Sequence, residues 1–131
     1  MNTTYASLNE QTRLRGENND CTVKAVALAA NVPYAKAHHL MKIQGRKDGG
    51  RAPRANVISA LFHLGFQCED VTKLVPEKTL NQFEQRGLRD TYLIGINGHI
   101  LVSKNGKIED WTAGGRQHRI QTVYRVRPIK K

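Results

Sequence analysis

A polar segment that runs directly into an apolar one constrains the fold of this chain more than any other feature. Residues 17–20 are Glu-Asn-Asn-Asp, and residues 21–30 are Cys-Thr-Val-Lys-Ala-Val-Ala-Leu-Ala-Ala. Asn and Asp side chains accept hydrogen bonds from the free amides of a first helical turn, so the pattern predicts a helix from Cys21 to about Asn31. Because this helix is apolar on every side except at Lys24, we expect it to be buried.

Cys21 would lie in the first turn of this helix. The positive end of the helix dipole favours the thiolate there, and the thiolate is the form that a cysteine nucleophile needs. A free cysteine is more commonly a small buried apolar residue. Both interpretations of Cys21 stay open on this segment alone.

The rest of the chain predicts helices first and strands afterwards. Residues 1–16 show no period and are expected to form an arm or a short edge element. Apolar spacing and Pro or Gly boundaries predict three more helices, at 33–44, from Pro53 to about Leu64, and from Pro76 to Gly87. Strands are predicted at 66–71, 91–96, 99–104, 107–111 and 120–126.

This order of elements indicates an α+β fold, in which a helical N-terminal half with the buried Cys21 helix packs on a C-terminal antiparallel sheet. At 131 residues and without a linker, the chain is expected to form one domain. Residues 1–16 would be its N-terminal arm, and residues 114–131 a basic C-terminal strand and tail.

A hairpin allows a geometric prediction from the sequence. Asn105-Gly106 is a strong signal for a two-residue turn. With that turn, Lys104 pairs with Lys107, and Leu101 lies opposite Asp110. Because side chains alternate along a strand, Leu101 and Asp110 share one face of the hairpin.

His99 lies on the same face, as a diagonal neighbour of Asp110 at about 7–8 Å between backbones. A carboxylate that orients an imidazole is the supporting pair of a nucleophilic triad. Leu101 and Ile108 also share this face, and we expect them to pack against the Cys21 helix. Cys21, His99 and Asp110 would then lie together.

The order and placement of these residues resemble the papain-like cysteine peptidase superfamily. In particular they resemble small papain-like proteins found in bacteriophage genomes and, more distantly, bacteriocin-processing peptidases. The resemblance covers roughly residues 17–112. It rests on Asn19-Asp20-Cys21 with the helix that follows, on Gly98-His99 at the start of a strand, and on Asp110-Trp111 at the end of the hairpin.

The resemblance implies a papain-like fold and a thiol protease or isopeptidase-type hydrolase that acts through an acyl-thioester. Cys21 would be the nucleophile, His99 the general base and acid, and Asp110 the orienting residue. Asn19 or Asn18 would supply a side-chain amide to the oxyanion hole, although papain-like enzymes carry a glutamine further upstream. The same site would serve a deamidase, a transglutaminase or an acyltransferase, because all of them form an acyl-thioester.

The implied substrate is a protein or peptide, and no cofactor or metal is expected. The resemblance implies a phage-encoded viral protein that acts in the host cytoplasm. The sequence agrees with this expectation, since it has no apolar run long enough to span a membrane and its start lacks the pattern of a signal peptide.

The net charge of +10 indicates an anionic partner, which is a nucleic acid, an acidic protein or a phosphate-bearing ligand. The candidate residues for contacting a substrate or an anion come from two basic segments: Arg46, Lys47, Arg51, Arg54, Arg116, Arg119 and Arg125. The charge supports a second hypothesis, a non-catalytic basic protein that uses the same fold to bind nucleic acid or to inhibit a host protein.

Overall fold

The computed structural model describes residues 4–15, 20–47, 53–109 and 118–129. Its α-helices are α1 (Tyr5–Arg15), α2 (Cys21–Ala30), α3 (Tyr34–Ile43), α4 (Arg54–His63) and α5 (Leu80–Arg86). Its strands are β1 (Phe66–Asp70), β2 (Thr91–Ile96), β3 (His99–Lys104), β4 (Lys107–Glu109) and β5 (Thr122–Pro128). The α+β class predicted from the sequence is confirmed. None of the helices in these stretches has both the length and the apolar character to cross a bilayer.

The strands form one sheet in the order β1-β5-β2-β3-β4, and each strand is antiparallel to its neighbours. Alternating side chains place two apolar clusters on its two faces. The larger cluster joins α1, α2, α3 and α4 to one face, through residues such as Leu93 and Val102. The smaller cluster joins α5 to the other face, through residues such as Ile94 and Leu101.

Helix α2 lies at the centre of the larger cluster and packs on β3, α3, α4 and α1. Residues 22–30 are all buried, as the apolar pattern predicts. Asn31 ends the helix in the left-handed conformation, with φ 57° and ψ 48°. At this end, Lys104 Nζ at the end of β3 donates to the carbonyl of Leu28 over 3.2 Å. Helix α2 and strand β3 therefore end at the same side of the molecule.

The expectation of an N-terminal arm is wrong, because residues 5–15 form α1. Thr4 and Ser7 cap this helix reciprocally, each backbone amide donating to the other's hydroxyl over 3.2 Å. Leu8 is buried at 2% exposure. Polar groups also join α1 to α2, since Lys24 Nζ donates to Asn9 Oδ1 over 3.2 Å. This polar attachment explains why the segment shows no apolar period.

Asp20 precedes α2 as expected, but its side chain does not cap the helix. The carboxylate is buried, and its Oδ2 accepts hydrogen bonds from Thr12 Oγ1 at 2.6 Å and from Tyr34 Oη at 2.9 Å. Its Oδ1 forms an ion pair with Lys24 Nζ at 3.5 Å. Asp20 thus ties α1, α2 and α3 together at the start of the cysteine-bearing helix.

The predicted hairpin is confirmed in its turn and register. Asn105 and Gly106 both have positive φ, and Lys104 pairs with Lys107. The prediction that Leu101 and Ile108 pack against the Cys21 helix is wrong, because both belong to the cluster with α5. Positions 100 and 102 face α2 instead. Residues 100–102 of β3 are all apolar. The sequence pattern therefore does not reveal which of these side chains face α2 and which face α5.

Candidate active site

A cavity of about 290 Å³ lies at one end of the sheet. At this end β2 stops and β3 and β5 begin, beside the N-terminal ends of α2 and α4. The residues that line the cavity are Cys21, Thr22, Arg54, Gly95, Ile96, Gly98, His99, Ile100, Gln121 and Thr122. The cavity therefore combines side chains from both halves of the chain.

The structure brings Cys21 and His99 together in the wall of this cavity. Their side chains form a hydrogen bond, and the backbone of Ile100 forms a second hydrogen bond with the Cys21 sulfur. Cys21 is the first residue of α2, and His99 is the first residue of β3. Because α2 packs along β3 and both run in the same direction, their first residues meet.

The electrostatics of the site favour a thiolate at Cys21. Burial of the thiol raises its pKa, but the hydrogen bonds to His99 and Ile100 and the charge of His99 together outweigh burial and lower the pKa below its ordinary value. The nearby Asp20 carboxylate opposes this effect weakly. At Cys68, where burial alone acts, the pKa rises to about 11. The two cysteines of the chain are thus chemically distinct.

Two other members of the predicted site, Asp110 and Asn19, lie outside the described residues, as does Asn18. The last pair of β3 and β4 within the described residues joins Val102 to Glu109. The Glu109 carboxylate accepts a hydrogen bond from the backbone amide of Tyr5 over 3.3 Å, so it contacts the start of α1.

One of the predicted basic residues lines the cavity. Arg54, the first residue of α4, donates from Nη1 to Thr122 Oγ1 over 3.2 Å. Its guanidinium also lies over the ring of Tyr124, 5.2 Å from the ring centroid. The sequence predicted an anion-binding role for Arg54 without indicating that it lies beside Cys21.

The other basic residues are dispersed over the part of the chain that the structure describes. Arg46 is buried at 3% exposure, so it does not belong to an open anion-binding surface. Arg125 forms an ion pair with Glu69 and lies across from Tyr92, on the face of the sheet opposite Arg54. Lys47 and Arg119 are exposed, and Arg51 and Arg116 lie outside the described residues.

Gly95 and Thr122 are cavity residues that the sequence analysis missed. A Cβ atom added to Gly95 would lie 2.4 Å from Thr122 Oγ1, so the glycine lets the Thr122 side chain approach the strand. The available signal was an isolated glycine inside a strand pattern, which is typical of a close approach by another group. Gln121, whose side chain is exposed, was missed as well.

The chain matches no protein-family model, no curated protein and no solved structure. Within the described residues, no group of three or more His, Cys, Asp or Glu side chains has a geometry that could hold a metal ion. Cys21 and His99 form a hydrogen-bonded thiol–imidazole pair in the lining of the cavity.

Proposed function

We propose that this protein is a cysteine hydrolase that cleaves an amide or isopeptide bond through an acyl-thioester on Cys21. The hydrogen bond between the side chains of Cys21 and His99, in the wall of an open cavity, carries this proposal. A nucleophile within hydrogen-bonding reach of its base is the signature of covalent catalysis. The cavity volume of about 290 Å³ is near the lower end of ligand pockets, roughly 300 Å³.

The reaction begins when the Cys21 thiolate attacks the carbonyl carbon of the substrate. As the tetrahedral intermediate collapses, the C–N bond breaks and the protonated His99 gives its proton to the leaving amine. The neutral His99 then removes a proton from water, and the resulting hydroxide attacks the thioester. The C–S bond breaks, and the carboxylic acid leaves. Cys21 is released as the thiolate and His99 keeps its proton, so the thiolate–imidazolium pair is restored.

The start of α2 supplies a donor for the oxyanion of the intermediate. The backbone amide of Cys21 occupies the first helical position, where an amide has no acceptor within its own helix. Because charge develops on the carbonyl oxygen in the transition state, such a donor lowers the barrier. The positive end of the α2 dipole acts in the same direction.

The proposal places this hydrolase in the papain-like superfamily, as a phage-encoded protein of the host cytoplasm. It is supported by the order of a cysteine-bearing helix before a histidine-bearing strand, and by the packing of α2 on an antiparallel sheet. In this proposal Asp110 orients His99, and Asn19 or Asn18 provides the second oxyanion donor. With an amine or another nucleophile in place of water, the same intermediate yields a transferase.

The proposal is tested with p-nitrophenyl esters of N-acetylated amino acids, which acylate an activated thiol without strict specificity. We expect p-nitrophenol release and a transient acyl adduct on Cys21, detected by mass spectrometry of the intact and digested protein. Cys21→Ala and His99→Ala should each reduce the rate by about 10³-fold or more, since residues of a catalytic unit act together.

Cys68→Ser is the matched control, because it removes the other thiol from outside the cavity and should leave the rate unchanged. Release that persists in Cys21→Ala, or an adduct on Cys68 alone, would contradict the proposal. The non-catalytic hypothesis would then be favoured, and it predicts binding to nucleic acid or an acidic protein that weakens steeply with salt.

A further inference from the structure

Arg54 lines the cavity with an exposed side chain that contacts two neutral groups. Its Nη1 donates to the hydroxyl of Thr122, and its guanidinium lies over the Tyr124 ring. Neither contact cancels its positive charge. Guanidinium has five N–H donors in a fixed plane, so one bond to Thr122 leaves further donors for a ligand. Because the two contacts fix the plane before a ligand arrives, less conformational entropy is lost on binding.

Two helix ends add positive potential to the cavity that Arg54 lines. The N-terminal ends of α2 and α4, each a helix of 10 residues, meet at the cavity and direct the positive ends of their dipoles towards it. The described residues of the cavity wall include no Asp or Glu. Arg54 also acts on Asp70, an exposed carboxyl whose pKa is lowered mainly by hydrogen bonds from Thr72 and only secondarily by Arg54.

We propose that Arg54 is a specificity-determining residue that binds a carboxylate of the substrate in the cavity beside Cys21. The inference rests on the proposed function and adds its substrate class, a peptide or isopeptide with an acidic group close to the cleaved bond. That carboxylate belongs either to an Asp or Glu side chain or to a free C-terminus. A bidentate pair between guanidinium and carboxylate fixes both the charge and the orientation of such a substrate.

The test compares two alkylating reagents of similar size on Cys21, the anionic iodoacetate and the neutral iodoacetamide. The ratio of their rates reports the attraction of a carboxylate to the cavity and cancels the intrinsic reactivity of the thiolate. We expect Arg54→Gln to lower the iodoacetate-to-iodoacetamide ratio by about fivefold, which is the effect of two unit charges about 4 Å apart in water. Arg54→Lys keeps the positive charge, so its iodoacetate-to-iodoacetamide ratio should stay close to the wild-type ratio.

Arg86→Gln is the matched control, since it removes the same charge from α5 on the opposite face of the sheet. It should leave the ratio within twofold of the wild-type value. If Arg54→Gln leaves the ratio unchanged, or if Arg86→Gln lowers it equally, the role of Arg54 is overturned. The proposed hydrolase is not affected by either result. Slow reaction of Cys21 with both reagents, at the rate of Cys68, overturns the hydrolase and this inference with it.

Two pairs of substrates identify the source of the carboxylate. Peptide amides with Glu or Gln beside the cleaved bond test a side chain, and peptides with a free or amidated C-terminus test a terminal group. We expect one pair to differ by about fivefold or more in kcat/KM, and Arg54→Gln to remove that difference. If neither pair differs by more than about twofold, the carboxylate proposal is wrong.

Discussion

A hydrogen bond joins the side chains of Cys21 and His99, although three α-helices and two strands of the described residues separate the two along the chain. The bond forms because each residue is the first of its element, and α2 and β3 pack side by side in the same direction. The relationship is therefore a product of the whole fold. Its consequences for reactivity and for stability are separable by experiment.

Asp20→Asn should affect stability and thiol reactivity in opposite senses. It leaves the buried Lys24 without its ion-pair partner, and loss of one member of a buried pair costs about 3 kcal/mol. The Asp20 charge raises the pKa of Cys21, so its removal should lower that pKa further. We expect a lower unfolding free energy in urea and an alkylation midpoint shifted to lower pH.

Tyr34→Phe is the control for this prediction, because it removes a hydrogen bond to Asp20 and keeps the charge. It should cost about 1 kcal/mol of unfolding free energy and leave the alkylation midpoint in place. An Asp20→Asn protein whose midpoint moves to higher pH would show that the carboxylate acts on Cys21 in another way.

Leu8→Ala tests whether residues 5–15 form a packed helix. Leu8 is 2% exposed, and truncation of a buried leucine costs about 2–5 kcal/mol through lost burial and the cavity left behind. Leu14 lies on the same helix but is 64% exposed, so Leu14→Ala should change stability by less than about 0.5 kcal/mol. Equal, small effects of the two changes on urea unfolding would favour an unpacked arm.

Gly95→Ala should narrow the cavity and disturb the Arg54 contact. The new Cβ would lie 2.4 Å from Thr122 Oγ1, and a hydroxyl that rotates away from it loses its present hydrogen bond with Arg54. We expect the free energy of unfolding to fall by about 1 kcal/mol and p-nitrophenyl ester hydrolysis to become slower. In a Thr122→Ala background the clash disappears, and the same Gly95→Ala change should be neutral or stabilising. Equal costs in both backgrounds would contradict this assignment.

The sequence predicts the local features of this fold well. Helix α2 follows from a polar segment before an apolar one, and its observed limits are Cys21 and Ala30. The hairpin at Asn105-Gly106 follows from a turn that needs positive φ at both positions. In both cases neighbouring residues contain the whole signal.

The remaining features depend on contacts between distant segments. Helix α1 is attached partly through polar contacts to Lys24, which leave no apolar period to detect. The face that β3 turns to α2 is hidden because residues 100–102 are all apolar. Arg54 reaches the cavity because α4 packs against α2 and β1, and its side chain then contacts Thr122 and Tyr124 of β5. No single segment of the sequence contains that arrangement.

The most direct test of the proposed hydrolase is the pH dependence of iodoacetamide alkylation at Cys21, in the wild type and in His99→Ala, followed by mass spectrometry. Cys68 is the internal reference, with a pKa of about 11. Because the hydrogen bonds to His99 and Ile100 and the charge of His99 together outweigh burial, the wild-type midpoint should lie below the ordinary thiol value, and in His99→Ala it should rise. A Cys21 that reacts as slowly as Cys68 and is indifferent to His99 would contradict the proposed hydrolase.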